Sequence, residues 1–125
     1  MPQWQVMGWI NTFLALVMGT IYPVKQNMKS NKKLVPIYRK MRVWHPVVGI
    51  IMIAIGIYHG IQALGSIFVL RSGPVVLLVL TIMAVVALAG RKNLIFRKNW
   101  RKIHRTLGLL LYVVLLLHIY FPWWL

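Results

Sequence analysis

Apolar residues fall into four long blocks, about Trp4–Val24, Val43–Gly65, Pro74–Gly90 and Lys102–Trp124. Each is near the ~20 residues that carry a helix across ~30 Å of hydrocarbon. Four membrane crossings are expected. The breaks between them are polar: Lys25–Arg42 is long and basic, Ser66–Gly73 is short, and Arg91–Arg101 is again basic. Ser72 is placed to N-cap the third helix before Gly73 and Pro74, and Pro46 is expected in the first turn of the second helix, where a missing N–H is tolerated. The first block lacks the positive n-region of a secretory signal and is read as a retained helix. No Gly/Ser linker or low-complexity tail divides the chain, so residues 1–125 are expected to form a single four-helix transmembrane domain. The fold class is an all-α membrane protein, a four-transmembrane-helix bundle.

Composition narrows the chemistry. With 60% hydrophobic residues, 12% charged and a mean hydropathy of +0.74, the bilayer is the natural solvent. There is no Cys, which excludes c-type haem attachment, thiolate iron–sulfur sites, Cys-based zinc sites and disulfides. There is no Asp or Glu either, so paired-carboxylate catalysis, Ser-His-Asp triads, carboxylate-rich Ca²⁺ sites and carboxylate proton relays all fall away.

The formal net charge of +15 comes in two clusters. Lys25, Lys29, Lys32, Lys33, Arg39, Lys40 and Arg42 lie in or beside the first break; Arg91, Lys92, Arg97, Lys98, Arg101, Lys102 and Arg105 lie in or beside the third. Only Arg71 is left for the second. By the positive-inside rule both clusters are cytoplasmic, and both termini and Arg71 lie on the outer side of a bacterial-type inner membrane. The aromatics agree, with Trp4, Trp9, Trp123 and Trp124 near one boundary and Tyr22, Tyr38, Trp44 and Trp100 near the other. Topology accounts for the charge, and docking of an acidic cytoplasmic partner is a compatible second role. No nucleic-acid-binding motif is present.

The four histidines carry the most specific signal. His45 and His59 lie in the second block, His104 and His118 in the fourth, and each pair has thirteen intervening residues. Fourteen helical steps leave two side chains about 40° apart in direction and about 21 Å apart along the axis. The second and fourth helices cross in the same direction, so His45 meets His104 at the cytoplasmic level and His59 meets His118 toward the outside. Haem iron takes two axial ligands, and imidazole suits iron, so the pairs predict two bis-histidine b-type haems. Gly49, Met52, Gly56, Gly60 and Ala63 share the His45 face; Gly108, Leu111, Leu115 and Pro122 share the His104 face. Small residues there make room for a flat macrocycle. Adding 59 takes His45 to His104, Gly49 to Gly108 and His59 to His118, a weak internal repeat. The blander account, in which intramembrane histidines and a Gly56-x-x-x-Gly60 stripe only serve helix packing, fits one histidine better than four at matched spacing. Zinc or copper held by all four fits poorly, because the two levels are about 21 Å apart.

These residues resemble the haem-bearing helix core of dihaem membrane cytochromes, both the cytochrome b type and the membrane domain of ferric-reductase-like proteins. The resemblance rests on Trp44-His45-Pro46 through Gly49 to His59-Gly60, and on Trp100, His104-Arg105, Gly108, Tyr112 and His118. It covers nearly the whole chain, and it implies haem ligation and electron transfer without naming a substrate. No flavin- or nicotinamide-binding segment accompanies it, and no quinol-site sequence.

The expected function is transmembrane electron transfer between a cytoplasmic-side donor or acceptor and an outer-side redox partner. Haem propionates need cationic partners: Arg105, with Arg42 and Lys102 as neighbours, for the cytoplasmic haem, and Arg71 for the outer one. Met52 is assigned to packing. With no carboxylate available, electron conduction is favoured over proton-coupled quinol oxidation. The competing expectations are a membrane anchor or assembly subunit with structural haem or none, a carrier or pore, and an artificial or simplified cytochrome.

Overall fold

The structure is a computed structural model that describes residues 1–65, 71–92 and 97–123. Trp124, residues 66–70 of the second break and residues 93–96 of the third lie outside the described residues. Five helices account for the described chain: α1 (Gln3–Gly19), α2 (Ile21–Asn27), α3 (Leu34–Leu64), α4 (Ser72–Lys92) and α5 (Trp100–Tyr120). No strand occurs among the described residues. Four segments are long and apolar enough to cross a membrane, α1 and α2 together forming the first.

Helix boundaries depart from the hydropathy blocks where the chain is basic. The break expected over Lys25–Arg42 is mostly helical, since α2 runs to Asn27 and α3 begins at Leu34. Hydropathy locates the lipid-immersed part of a helix, whereas Lys and Arg propagate a helix well beyond it. At about 1.5 Å per residue, the 31 residues of α3 span about 46 Å, well over the ~30 Å of hydrocarbon. Pro46 consequently lies inside α3 and not in its first turn. Its missing N–H leaves the Arg42 carbonyl without a helical donor.

Another proline divides the first span. Pro23 cannot donate to the Gly19 carbonyl four residues back, and the helix is interrupted at Thr20, whose hydroxyl turns back to donate to the Val17 carbonyl at 2.6 Å. Asn27 and Asn31 order the turn into α3: Asn27 Nδ2 donates to the Pro23 carbonyl at 2.8 Å, and Asn31 Oδ1 accepts from the Lys33 N–H at 3.1 Å. At its other end α3 stops at Gly65, which takes φ 70° and donates its N–H to the Ile61 carbonyl at 2.8 Å. A left-handed residue at a helix end favours glycine because no Cβ is in the way.

Backbone packing runs α1 on α3, α3 on α4 and α4 on α5. Side chains close the ring: Tyr112 Oη of α5 donates to the Ala15 carbonyl of α1 at 2.6 Å, and its ring occupies the place a Cβ at Gly19 would take. Trp100 similarly lies against Gly90, where a Cβ would collide with the indole. The order around the bundle is therefore α1, α3, α4, α5, with α3 and α5 on a diagonal. The buried core holds Ala15, Met52, Val79, Leu80 and Leu111, so every span contributes. Large apolar side chains cover the outside, among them Ile50, Leu78, Leu88 and Leu109. That inversion of the soluble pattern suits lipid as solvent.

Candidate functional site

The diagonal pair α3 and α5 carries all four histidines, and their side chains meet across the centre of the bundle. The His45 and His104 ring centroids are 6.0 Å apart with planes at 70°; those of His59 and His118 are 6.2 Å apart at 86°. The pairing expected from spacing is the pairing observed. Met52 and Leu111 lie seven residues from the histidines on either side of them, and both are core residues. Apolar side chains thus stand between the levels, with Asn11 as a polar neighbour of Met52.

Hydrogen bonds at Nδ1 place a proton on that nitrogen in three of the four rings. His59 Nδ1 lies 2.6 Å from the Trp4 carbonyl, and His104 Nδ1 lies 3.0 Å from the Met83 carbonyl. A carbonyl only accepts, so both Nδ1 atoms donate, and in a neutral ring this leaves the lone pair on Nε2. His118 Nδ1 lies 2.9 Å from Ser72 Oγ, and Ser72 donates its one hydroxyl proton to the Pro122 carbonyl at 2.8 Å. Ser72 must then accept from His118, which also leaves Nε2 with the lone pair. His45 differs, because its Nδ1 is buried with no hydrogen-bond partner among the described residues.

These contacts correct the role expected of Ser72. Its hydroxyl joins the end of α5 and does not cap its own helix; among the described residues it is the one fully buried side chain, with 0% exposure. A hydroxyl that deep is held by the partners that satisfy it, and here they come from α5 and from Pro122, two residues beyond its end.

The flanking positions divide into room for a ligand and room for a helix. A Cβ at Gly49 would meet nothing within 4 Å, and one at Gly108 would meet only Met83 Cε at 3.6 Å. At Gly56 a Cβ would press on Leu77 Cδ1 at 3.1 Å, so this glycine lets α3 and α4 approach. Gly60, like His59 beside it, is half-buried. Arg71 lies beside Ser72, with its Cζ 4.4 Å from the Trp123 ring centroid. Arg105 lies beside His104 in sequence, but its guanidinium turns along the helix: Nε donates to the Arg101 carbonyl at 3.3 Å and Cζ stands 5.1 Å from the Tyr22 ring centroid. It is not gathered into the His45/His104 pair.

Several contributors were not legible in the sequence. Gly8 of α1 lies under His59, where a Cβ would stand 3.0 Å from Cε1, and Gly73 of α4 lies under His118 at 3.4 Å. Trp4, expected only as an interfacial residue, flanks His59 at a centroid distance of 6.1 Å, whereas Trp100, already quoted with His104, flanks that ring at 6.3 Å. Asn11 donates to the Met52 carbonyl at 3.0 Å, tying α1 to α3 between the levels. A glycine on a helix without histidines gives no pattern to search for, and a backbone carbonyl has no residue signature at all.

Among the described residues, no three His, Cys, Asp or Glu side chains gather at one point. The histidines therefore stand as two separate pairs, each able to offer a metal two protein ligands. A metal held there takes its remaining ligands from a cofactor or solvent. No family model, no curated protein and no solved structure matches the chain.

Proposed function

We propose that the protein carries electrons across a membrane by way of two bis-histidine b-type haems, held by His45 with His104 and by His59 with His118. The observation that carries this proposal is the separation within each pair. Two imidazole–metal bonds of about 2.0 Å, each extended by about 1.1 Å from nitrogen to ring centre, place the centroids about 6 Å apart. The pairs stand at 6.0 and 6.2 Å, with protonated Nδ1 atoms at three of the four rings. Anchoring the distal nitrogen is the usual support for a histidine that ligates metal. Iron porphyrin bound at these positions supplies reversible one-electron oxidation and reduction.

The chain's own residues do the rest. The open flank at Gly49 and the loosely filled one at Gly108 leave space beside the basic-end ligands. The carbonyls of Trp4 and Met83 and the hydroxyl of Ser72 hold three rings in orientation. The Ala15, Met52, Val79, Leu80 and Leu111 layer keeps the space between the levels mostly apolar, which favours passage of electrons over passage of protons or solutes. Histidine pairs at two depths would hold redox groups that divide a ~30 Å crossing into shorter hops. Arg71, next to Ser72 in sequence, is the propionate partner we assign to the outer pair. Arg105, on the side of the basic-end pair, reaches a propionate only by leaving Tyr22.

Orientation follows from charge. The seven basic residues of each cluster sit at the His45/His104 end, and the positive-inside rule makes that end cytoplasmic, with both termini outside. Such a surface recruits an acidic donor or acceptor protein from the cytoplasm, with a second redox partner acting outside. The test is a visible spectrum with pyridine haemochrome analysis on protein purified from haem-replete cells. Two non-covalent low-spin haems b per chain are expected; a colourless protein overturns the proposal.

A further inference from the structure

The two histidine pairs are held unequally, and the difference centres on Ser72. Both Nδ1 atoms of the His59/His118 pair are bonded, to the Trp4 carbonyl and to Ser72 Oγ. In the other pair only His104 is anchored. Ser72 alone of these supports is a side chain, hence open to substitution without altering the backbone. It is fully buried at 0% exposure, donates to the Pro122 carbonyl at 2.8 Å and stands 2.9 Å from His118 Nδ1. Gly73, next in sequence, leaves the His118 ring its place.

We infer that Ser72 is a positioning residue which tunes the redox potential of the His59/His118 centre. The inference rests on the proposal that this pair ligates haem iron. Because the Ser72 proton is committed to Pro122, the hydroxyl oxygen is a fixed acceptor for the Nδ1–H of His118. An acceptor at that proton makes the imidazole a stronger electron donor through Nε2. Oxidised iron carries one more positive charge than reduced iron and gains more from a stronger donor. Ser72 thus lowers the potential of this centre, while His118 stays bound and keeps its proton as the electron arrives. No side chain among the described residues does the same for His45.

The experiment is a spectroelectrochemical titration of the purified haem-loaded protein, with electron paramagnetic resonance of the oxidised form. A His118→Ala variant identifies which redox transition belongs to this pair. Ser72→Ala should move that transition to higher potential and shift its low-spin resonance, leaving the other transition in place; Ser72→Thr, which retains the hydroxyl, should restore the wild-type values. Loss of the His59/His118 haem alone in Ser72→Ala, with retention in Ser72→Thr, supports the same role. Wild-type potentials and resonances in Ser72→Ala overturn it, as does equal disturbance of both centres by both variants. Failure of the wild-type protein to bind haem overturns the proposed function instead.

Discussion

At the scale of single residues, the histidines and the glycines beneath them make opposite demands. His45, His59, His104 and His118 project into a shared centre; Gly8 must stay small for the His59 ring to do so, and Gly73 lies in ordinary contact with the His118 ring. Replacing His45 or His104 by Ala should lower haem stoichiometry from two to one by removing the basic-end site. Replacing His59 or His118 should remove the other, and pyridine haemochrome counts read both. Loss of both haems from every variant would show that the sites do not form independently. A second prediction concerns Tyr112. Tyr112→Phe removes one hydrogen bond to Ala15 and should cost about 0.6 kcal/mol, a typical value between membrane helices. Gly19→Ala forces a Cβ into the Tyr112 hydroxyl and should cost more, about 1–3 kcal/mol. Denaturation in detergent micelles gives the ranking, and the reverse order would mean that α1 yields freely at Gly19.

At the scale of helices, prolines decide where the backbone ladder is broken. Pro23 separates α2 from α1, while Pro46 is absorbed within α3 one residue after His45. The Arg42 carbonyl loses its helical donor at the basic end, where water and basic side chains are close. Pro46→Ala restores that donor and should stabilise the haem-free protein by about 1–3 kcal/mol, measured by thermal melting. An unchanged melting temperature would mean that the carbonyl is already satisfied. The block pattern identified four spans and their order because lipid imposes a hydropathy signal on every crossing. It misplaced the start of α3 by nine residues, Val43 against Leu34, because lipid imposes nothing on the part of a helix that leaves it.

At the scale of the molecule, the four spans close around a small core while most large apolar side chains face outward. Basic residues collect at one end, and Trp4, Arg71 and Trp123 at the other. The chain has no Cys, so each introduced thiol is a unique reporter. On intact cells a membrane-impermeant maleimide should label Gln3→Cys and spare Ser30→Cys, both exposed positions. The opposite pattern would invert the topology and place Arg71 inside.

The sequence by itself determined the spans and the two levels, at which His45 falls with His104 and His59 with His118. All of these follow from helical periodicity and hydropathy, which are properties of one helix at a time. Tertiary structure decided what surrounds each ring: the carbonyls of Trp4 and Met83, the Ser72 hydroxyl turned from its expected cap, and Gly8 and Gly73 beneath the imidazoles. Such contacts depend on which neighbour each helix faces and at what height. Lipid-facing and bundle-facing surfaces are both apolar here, so hydropathy does not encode that choice and only packing does.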